Sequence, residues 1–178
     1  MEGSHSKWVF GYGSLIWRTG FEFISDQSAQ LPGYHRSLCI YSVRYRGTPK
    51  RPGLVFGLVA GGSCEGRAFE IKASEWDGVL QYLLEREGDV YHEIIQEIHL
   101  SDGRKVDALT FVADPNHEQY AGRLDMEKQL ALVDGASGDA GCNRDYVFNT
   151  LSHFKDLGIN DKYLFSLGEK LNSRISNK

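Results

Sequence analysis

The chain has 178 residues, of which 41% are hydrophobic and 25% charged, and its formal net charge is −4. This length and composition are those of a globular protein that can bury a core of its own. The weak negative charge gives no electrostatic basis for binding nucleic acid or an anionic membrane, so neither is expected as a partner. No apolar run approaches the 18 residues needed to span a bilayer.

The cysteines and histidines do not form a metal-binding pattern. The three cysteines lack a C-x-x-C spacing, and the six histidines lack an H-x-x-x-H spacing, so no metal is expected. Widely spaced cysteines in odd number, with no secretory signal, predict a reducing, cytoplasmic location. We interpret residues 1–7 as a flexible leader and residues 8–176 as one domain.

The first predicted element is a short buried strand over residues 8–10, followed by a loop over residues 11–16. Gly11 and Gly13 in this loop allow a positive φ or the close approach of a bound group. Successive backbone N–H groups in such a loop can bind an anion or an oxyanion. A G-x-G alone is more often a strand end with a tight turn, and without a third glycine it is not a dinucleotide fingerprint.

The middle of the chain reads mainly as strands. Residues 31–34 (Leu-Pro-Gly-Tyr) predict a turn, and Gly61-Gly62-Ser63 predicts a tight connection. Apolar and alternating runs predict strands over residues 38–43, 54–60, 66–71, 91–100 and 106–113. One helix interrupts them, with Ser74 and Asp77 as a capping pair and Gly88 as its stop.

The last third of the chain is predicted to be helical. A helix over residues 125–133 is followed by one that Asn143 caps and that ends at Gly158, and Asp161 caps a terminal helix. Because the strands come first and the helices last, we expect an α+β domain with a curled, mostly antiparallel sheet.

Four features could carry chemistry, each with a plainer alternative. Glu87 lies at a helix end before a strand, where a partly desolvated carboxylate has a raised pKa and can act as a general base. The alternative is a solvated charged helix end. Tyr146 follows a helix N-terminus that could hold a carboxylate, or it is a half-buried tyrosine on a capped helix. The basic loop over residues 44–51 could steer an anionic ligand, and the alternative is a solvated loop. Cys142 could be a nucleophile, but a small apolar packing residue is the better interpretation.

Together these segments resemble the ChaC-like γ-glutamylcyclotransferases, from Trp8 to about Leu167. The resemblance is carried by several short motifs, namely residues 9–17 (VFGYGSLIW), 32–36 (PGYHR), Arg46-Gly47, Pro52-Gly53, Arg86-Glu87 with Tyr91, Asp114-Pro115, and Gly141-x-Asn143-x-x-Tyr146-x-Phe148. It implies a small β-barrel-like sheet with flanking helices. It also implies cleavage of a γ-glutamyl compound, with glutathione giving 5-oxoproline and Cys-Gly, and no metal or cofactor.

The resemblance also assigns site residues. It implies that Glu87 is the catalytic acid/base and that a loop holds the γ-glutamyl group, with Tyr12, Gly13, Ser14 and Leu15. We expect the substrate-binding set to include, in addition, Ile16, Arg46, Tyr91 and Tyr146. The substrate's own α-amine would attack its γ-carbonyl, so the enzyme must fold the substrate and move protons.

Two departures from relatives concern the specificity of the site. Residues 39–45 replace a W-Q-G-S-type segment found in some relatives, and Asp89 makes the segment after Glu87 acidic. A cyclotransferase acting on other γ-glutamyl amines or amino acids, and a non-catalytic γ-glutamyl-binding regulatory protein, therefore remain alternatives. The sequence gives no indication of the oligomeric state.

Overall fold

The computed structural model describes residues 6–176, which form seven strands and four α-helices. The strands are β1 (Lys7–Gly11), β2 (Ser25–Ser42), β3 (Gly53–Ile71), β4 (Tyr91–Leu100), β5 (Lys105–Ala113), β6 (Ser137–Gly138) and β7 (Gly141–Cys142). The helices are α1 (Trp76–Glu87), α2 (Met126–Val133), α3 (Asn143–Leu157) and α4 (Lys162–Ser176). The five long strands close into a barrel in the order β1-β3-β2-β4-β5, while β6 and β7 form a separate pair.

The barrel is mixed but mostly antiparallel. Strand β1 is antiparallel to β3, with Lys7 opposite Ile71, and parallel to β5, with Trp8 opposite Ala108. Strand β4 is antiparallel to both β5 and β2. The predicted α+β class with a small barrel and flanking helices is confirmed.

The turns predicted at residues 31–34 and 61–63 are wrong, because β2 and β3 run through them without ending. Gly33, Gly61 and Gly62 have φ values of 88°, 106° and 68°. His35 Nδ1 on β2 lies 2.9 Å from the Gly61 carbonyl oxygen on β3. A glycine with positive φ can bend or bulge a strand while the strand continues, so the turn signal marks a distortion here.

The described chain divides into two compact units. The first contains the described residues up to Ser37 together with Leu58–Asp114, and the second contains Leu38–Gly57 together with the described residues from Pro115 onward. Of the leader predicted over residues 1–7, residues 1–5 lie outside the described part, and Lys7 begins β1. The single domain over residues 8–176 stays a prediction.

The core of the first unit joins α1 to the barrel strands. It is a cluster of buried apolar residues, namely Val9, Leu15, Phe69, Ile71, Val79, Leu83, Leu109 and Phe111. The predicted capping role of Ser74 is wrong, because a short 3-10 helix (Ala73–Glu75) precedes α1 and no side chain caps α1. The helix stops as predicted at Gly88, which has a φ of 68°.

The second unit contains α2, α3 and α4. Asp125 and Asp161 cap α2 and α4 by accepting backbone N–H groups, and Gly158 ends α3 in the left-handed conformation. The cap at Asp161 and the end of α3 at Gly158 are as predicted, whereas Asp125 was expected to be the first residue of a helix and not its cap. Helices α3 and α4 pack closely, since a Cβ on Gly168 would lie 2.3 Å from Leu151 Cδ1. Within residues 6–176, no helix has both the length and the apolar character needed to cross a membrane.

Candidate active site

The loop after β1 forms one turn of 3-10 helix, Ser14–Ile16. The Ile16 amide donates to the Gly13 carbonyl oxygen at 3.0 Å, and the Arg18 amide donates to the Ser14 carbonyl oxygen at 2.9 Å. The N–H groups of Gly13, Ser14 and Leu15 have no acceptor among residues 6–176. Three consecutive unpaired donors at the start of a turn can bind an anion or a developing oxyanion.

Gly11 and Gly13 were expected to allow a positive φ, but neither has a positive φ in the structure. Gly13 has a φ of −136°, and a Cβ built on it would meet no atom of the described chain within 4 Å. A Cβ on Gly11 would instead lie 3.3 Å from the Phe69 ring, where β1 meets β3. Gly13 thus leaves open space beside the unpaired amides, whereas the absence of a side chain at Gly11 allows β1 to pack closely against the Phe69 ring.

Arg36 on β2 holds the backbone of the loop. Its side chain is buried, its Nε donates to the Tyr12 carbonyl oxygen at 2.6 Å, and its Nη2 donates to the Glu65 carbonyl oxygen at 2.6 Å. In the sequence, Arg36 is recognisable only as the last residue of the motif over residues 32–36. A buried arginine needs several acceptors, but a sequence does not show which backbone carbonyls will supply them.

Glu87 is the last residue of α1 and is largely withdrawn from solvent. Its side chain is 20% exposed, whereas Glu85 on the same helix end is exposed. Burial raises the pKa of the Glu87 carboxyl, and the positive charge of Arg86 partly offsets this by lowering it. No hydrogen bond reaches the carboxylate from the described residues, and its nearest ionic partner, Arg86 Nε, is 3.9 Å away. A carboxylate in this state can exchange protons with a ligand.

The helix end and the loop meet through Arg86, whose Nη2 donates to Ser14 Oγ at 3.2 Å. The structure therefore brings Glu87 and the loop residues together within the first unit. Tyr91, which opens β4 two residues after Asp89, is half-buried against the apolar cluster of that unit. Leu15 and Ile16 contribute buried side chains beneath the loop.

Arg46 and Tyr146 lie in the second unit, where they contact each other. The Arg46 guanidinium carbon is 5.6 Å from the centroid of the Tyr146 ring, and its Nη1 donates to the Cys142 carbonyl oxygen at 3.2 Å. The Tyr146 hydroxyl accepts the Phe56 amide at 3.1 Å. This arrangement fixes the tyrosine on α3 relative to β3.

The predicted capping role of Asn143, which lies in this unit, is wrong, because Asn143 does not cap α3. Cys142 occupies the N-cap position, and Asn143 is the fully buried first residue of the helix. Its Oδ1 accepts the Leu54 amide at 2.7 Å and its Nδ2 donates to the Leu54 carbonyl oxygen at 2.8 Å. The side-chain amide of asparagine, which could cap a helix, here bonds to both the N–H and the carbonyl group of a strand residue.

The basic loop over residues 44–51 is largely engaged within the second unit. Arg44 forms an exposed ion pair with Asp139 at 3.3 Å, and Arg51 donates to the Asp134 carbonyl oxygen. Backbone bonds from Asp139 and Ala140 hold the loop further.

The described part of the chain contains no ligand set for a metal ion. Among residues 6–176, no three His, Cys, Asp or Glu side chains are grouped closely enough to bind one. All three cysteines are free thiols, and burial raises the pKa of Cys39 to about 12, which makes it unreactive. The expectation that no metal or cofactor is required stays a prediction.

Comparison with known proteins decides the family. The model of the ChaC-like protein family matches residues 7–174. The chain belongs to the ChaC-like family. The resemblance seen in the sequence is thereby confirmed.

Two relatives and one solved structure show how this ChaC-like protein compares with others. It is 33% identical to the glutathione-specific γ-glutamylcyclotransferase of Escherichia coli (strain K12), over 90% of this chain and 70% of that one. It is 32% identical to γ-glutamylcyclotransferase 2-3 of Arabidopsis thaliana, over 96% and 91%. The crystal structure of a glutathione-specific γ-glutamyl cyclotransferase from yeast matches the fold with a TM-score of 0.85 at 21% identity, covering 94% of this chain and 96% of that one.

Proposed function

We propose that this ChaC-like protein is a γ-glutamylcyclotransferase that converts glutathione to 5-oxoproline and Cys-Gly. Relatives from Escherichia coli and Danio rerio, 33% and 28% identical, are glutathione-specific γ-glutamylcyclotransferases, which supports this substrate. The observation that carries the proposal is the buried Glu87 carboxylate, tied by its neighbour Arg86 to a loop with three unpaired amides. A cytoplasmic location remains a prediction.

The reaction needs a positioned substrate and a proton carrier. The α-amine of the γ-glutamyl group attacks the γ-carbonyl carbon, a five-membered lactam closes, and the bond to the cysteine nitrogen breaks. Glu87 takes a proton from the α-ammonium and returns a proton to the departing nitrogen, so the same carboxyl serves as base and acid. The amine and the carbonyl already belong to one molecule, so the enzyme lowers the barrier by holding the chain in a ring-closing conformation and by placing Glu87 beside the amine.

The raised pKa of Glu87 suits this role. A carboxylate with an ordinary pKa near 4.5 is a weak base toward an ammonium group, and burial makes it a stronger one. The same burial means that a proton taken from the substrate is held away from bulk water until the leaving amine needs it.

The loop supplies the second half of the chemistry. In the proposal, the N–H groups of Gly13, Ser14 and Leu15 bind the negatively charged oxygen that develops on the γ-carbonyl, or the substrate α-carboxylate. The open space at Gly13 lets the substrate approach these donors. Tyr12, Ile16 and Tyr91 complete the proposed substrate-binding set of the first unit. The binding roles of Arg46 and Tyr146, which lie in the second unit, stay predictions from the family resemblance.

The test is incubation of the purified protein with glutathione and, separately, with γ-glutamyl-alanine, followed by mass detection of products. We expect equal amounts of 5-oxoproline and Cys-Gly from glutathione, and much less 5-oxoproline from γ-glutamyl-alanine. Preference for γ-glutamyl-alanine would indicate the broader cyclotransferase. Absence of 5-oxoproline from both substrates would overturn the proposal and favour a binding protein without catalysis.

A further inference from the structure

The guanidinium group of Arg86 contacts the loop at both ends. Its Nη2 donates to Ser14 Oγ at 3.2 Å, at the start of the 3-10 turn. Its Nη1 donates to the carbonyl oxygens of Arg18 and Thr19, the latter at 3.2 Å, where the loop leaves the turn. One side chain from α1 thus contacts Ser14, the middle one of the three residues with unpaired amides, and also the backbone that follows the turn.

The remaining contacts of Arg86 fix the guanidinium to its own helix. Nη1 also donates to the Tyr82 hydroxyl at 3.1 Å, one helical turn earlier. Nε faces Glu87 Oε1 at 3.9 Å. The arginine therefore lies between the Glu87 carboxylate and the loop, and it is itself largely buried.

We propose that Arg86 is a positioning residue of the cyclotransferase site, which holds the Glu87 carboxyl group at a fixed distance from the amides of the loop. The inference rests on the proposed function. Among residues 6–176, the hydrogen bonds and the ion pair of Arg86 go to Glu87, to the loop and to Tyr82, which is the pattern of a residue that positions its neighbours.

The geometry of these contacts requires an arginine. The planar guanidinium group donates in several directions: to a hydroxyl and two carbonyl oxygens on the loop, and to the phenol oxygen of a tyrosine on α1. A lysine ammonium carries the same charge, but it cannot span acceptors that a planar fork reaches together. Replacement by lysine should therefore separate the effect of charge from the effect of position.

The charge of Arg86 gives the proposal a distinctive signature. The charged and titratable side chains on the segments adjoining Glu87 are Tyr12, Arg18, Tyr82, Glu85, Arg86, Asp89 and Tyr91. Of these, Arg86 acts on the Glu87 carboxyl through its charge and lowers its pKa. Removing that charge should raise the pKa of Glu87 further, and the acidic limb of the pH–rate profile should move to higher pH.

The experiment begins with wild-type turnover of glutathione, whose absence would refute the proposed function and not the role of Arg86 within it. The values of kcat and KM are then measured from pH 5 to pH 9 for Arg86→Gln and Arg86→Lys. We expect Arg86→Gln to lower kcat on the order of 10²-fold, to change KM much less, and to shift the acidic limb upward. Arg86→Lys should lower kcat while leaving the acidic limb near its wild-type position.

Two matched variants separate positioning from general loosening. Arg36→Gln removes the other guanidinium bound to the loop, at Tyr12, without changing the charge beside Glu87, so it should lower kcat with no shift of the limb. Glu85→Gln changes an exposed charge on the same helix end and should leave the profile unchanged.

Three results would overturn the proposal. They are wild-type kcat in Arg86→Gln, a fall in its kcat without a shift of the limb, and full kcat in Arg86→Lys. Thermal unfolding shows whether Arg86→Gln folds. If it does not, the kcat values of Arg86→Lys and Tyr82→Phe test the proposal instead. Tyr82→Phe removes one anchor of the guanidinium and should lower kcat while the limb stays in place, and unchanged kcat in either variant would refute the proposal.

Discussion

Glu85 and Glu87 lie two residues apart at the end of α1, yet their environments differ. Glu85 is exposed and accepts a hydrogen bond from Gln81, whereas Glu87 is largely buried and accepts none from the described residues. The difference follows from the direction of each side chain on the helix, since residues two apart do not share a face. The sequence could place a carboxylate at this helix end but could not tell which one is desolvated.

Glu87→Gln provides the direct test of the proposed acid/base. Glutamine keeps the size and polarity of the side chain but cannot carry the proton, so we expect kcat for glutathione to fall by about 10²–10⁴-fold with little change in KM. The measurement is steady-state formation of 5-oxoproline, with Glu85→Gln as the matched control. Turnover by Glu87→Gln close to that of Glu85→Gln would exclude Glu87 as the acid/base.

Gly13 tests the binding role of the loop. A methyl group added there meets no atom of the described chain but occupies the open space next to the unpaired amides, so we expect Gly13→Ala to raise KM for glutathione. Gly78 on α1 is the control, because it is exposed and a Cβ there also meets nothing. Gly78→Ala should leave KM unchanged and stabilise the helix by about 0.5–1 kcal/mol. An unchanged KM in a folded Gly13→Ala protein would place the substrate elsewhere.

At the scale of elements, most helices and strands follow from local patterns in the sequence. Helix α2 lies within the range predicted over residues 125–133, α3 ends at the predicted Gly158, and β4 and β5 follow the runs predicted over residues 91–100 and 106–113. These features depend on a few neighbouring residues, which a sequence displays. The long strands β2 and β3 could not be predicted whole, because the glycines within them read as turns unless their partner strands are known.

The attachment of α3 to β3 depends on residues far apart in sequence. Asn143 and Tyr146 are three residues apart on α3 and bond to Leu54 and Phe56, which are two residues apart on β3. Residues three apart lie on the same face of a helix, and residues two apart point to the same side of a strand. The two side chains of α3 can therefore reach the two residues of β3 together. The sequence predicted a cap at Asn143, because the local preference of asparagine for caps was the only available evidence.

Asn143→Ala should therefore lower the free energy of unfolding by far more than the loss of a helix cap would. The variant leaves the Leu54 N–H and carbonyl groups buried without partners, at a cost of about 1–3 kcal/mol for each group. Thermal and urea unfolding measure the effect. Asn149→Ala is the control, because Asn149 is exposed on the same helix and its loss should be nearly neutral. Equal unfolding midpoints for the two variants would contradict the assigned contacts.

At the scale of the whole molecule, the residues of the site are drawn from distant parts of the chain. The loop after β1 and the end of α1 are separated by some of the longest strands, and their meeting depends on the closure of the barrel. Composition and periodicity do not encode that closure, so the pairing of loop and carboxylate came from the family resemblance alone. Arg36 and Arg86 belong to motifs that the sequence displays, but their contacts with the loop are visible only in the folded structure.

A buried carboxylate with a raised pKa also affects the stability of the whole fold. The folded protein holds the Glu87 proton more tightly than the unfolded chain, in which the pKa is about 4.5. From pH 4.5 up to the folded pKa, the native state therefore binds more protons, and the free energy of unfolding falls as the pH rises. Above the folded pKa, the penalty for the ionised, desolvated group is complete.

Glu87→Gln removes this penalty, so we expect the inactive variant to be more stable than the wild type at pH 7 to 8. The difference between their thermal midpoints should shrink toward zero as the pH falls to 4.5 and below, where the wild-type carboxyl is neutral in both states. Glu85→Gln, at an exposed position, should show a small difference without that pH dependence. A midpoint for Glu87→Gln that lies below the wild type at every pH would mean that the ionised carboxylate stabilises the fold. Stabilisation upon loss of the acid/base would instead show that the protein keeps Glu87 in a costly environment because the reaction requires it.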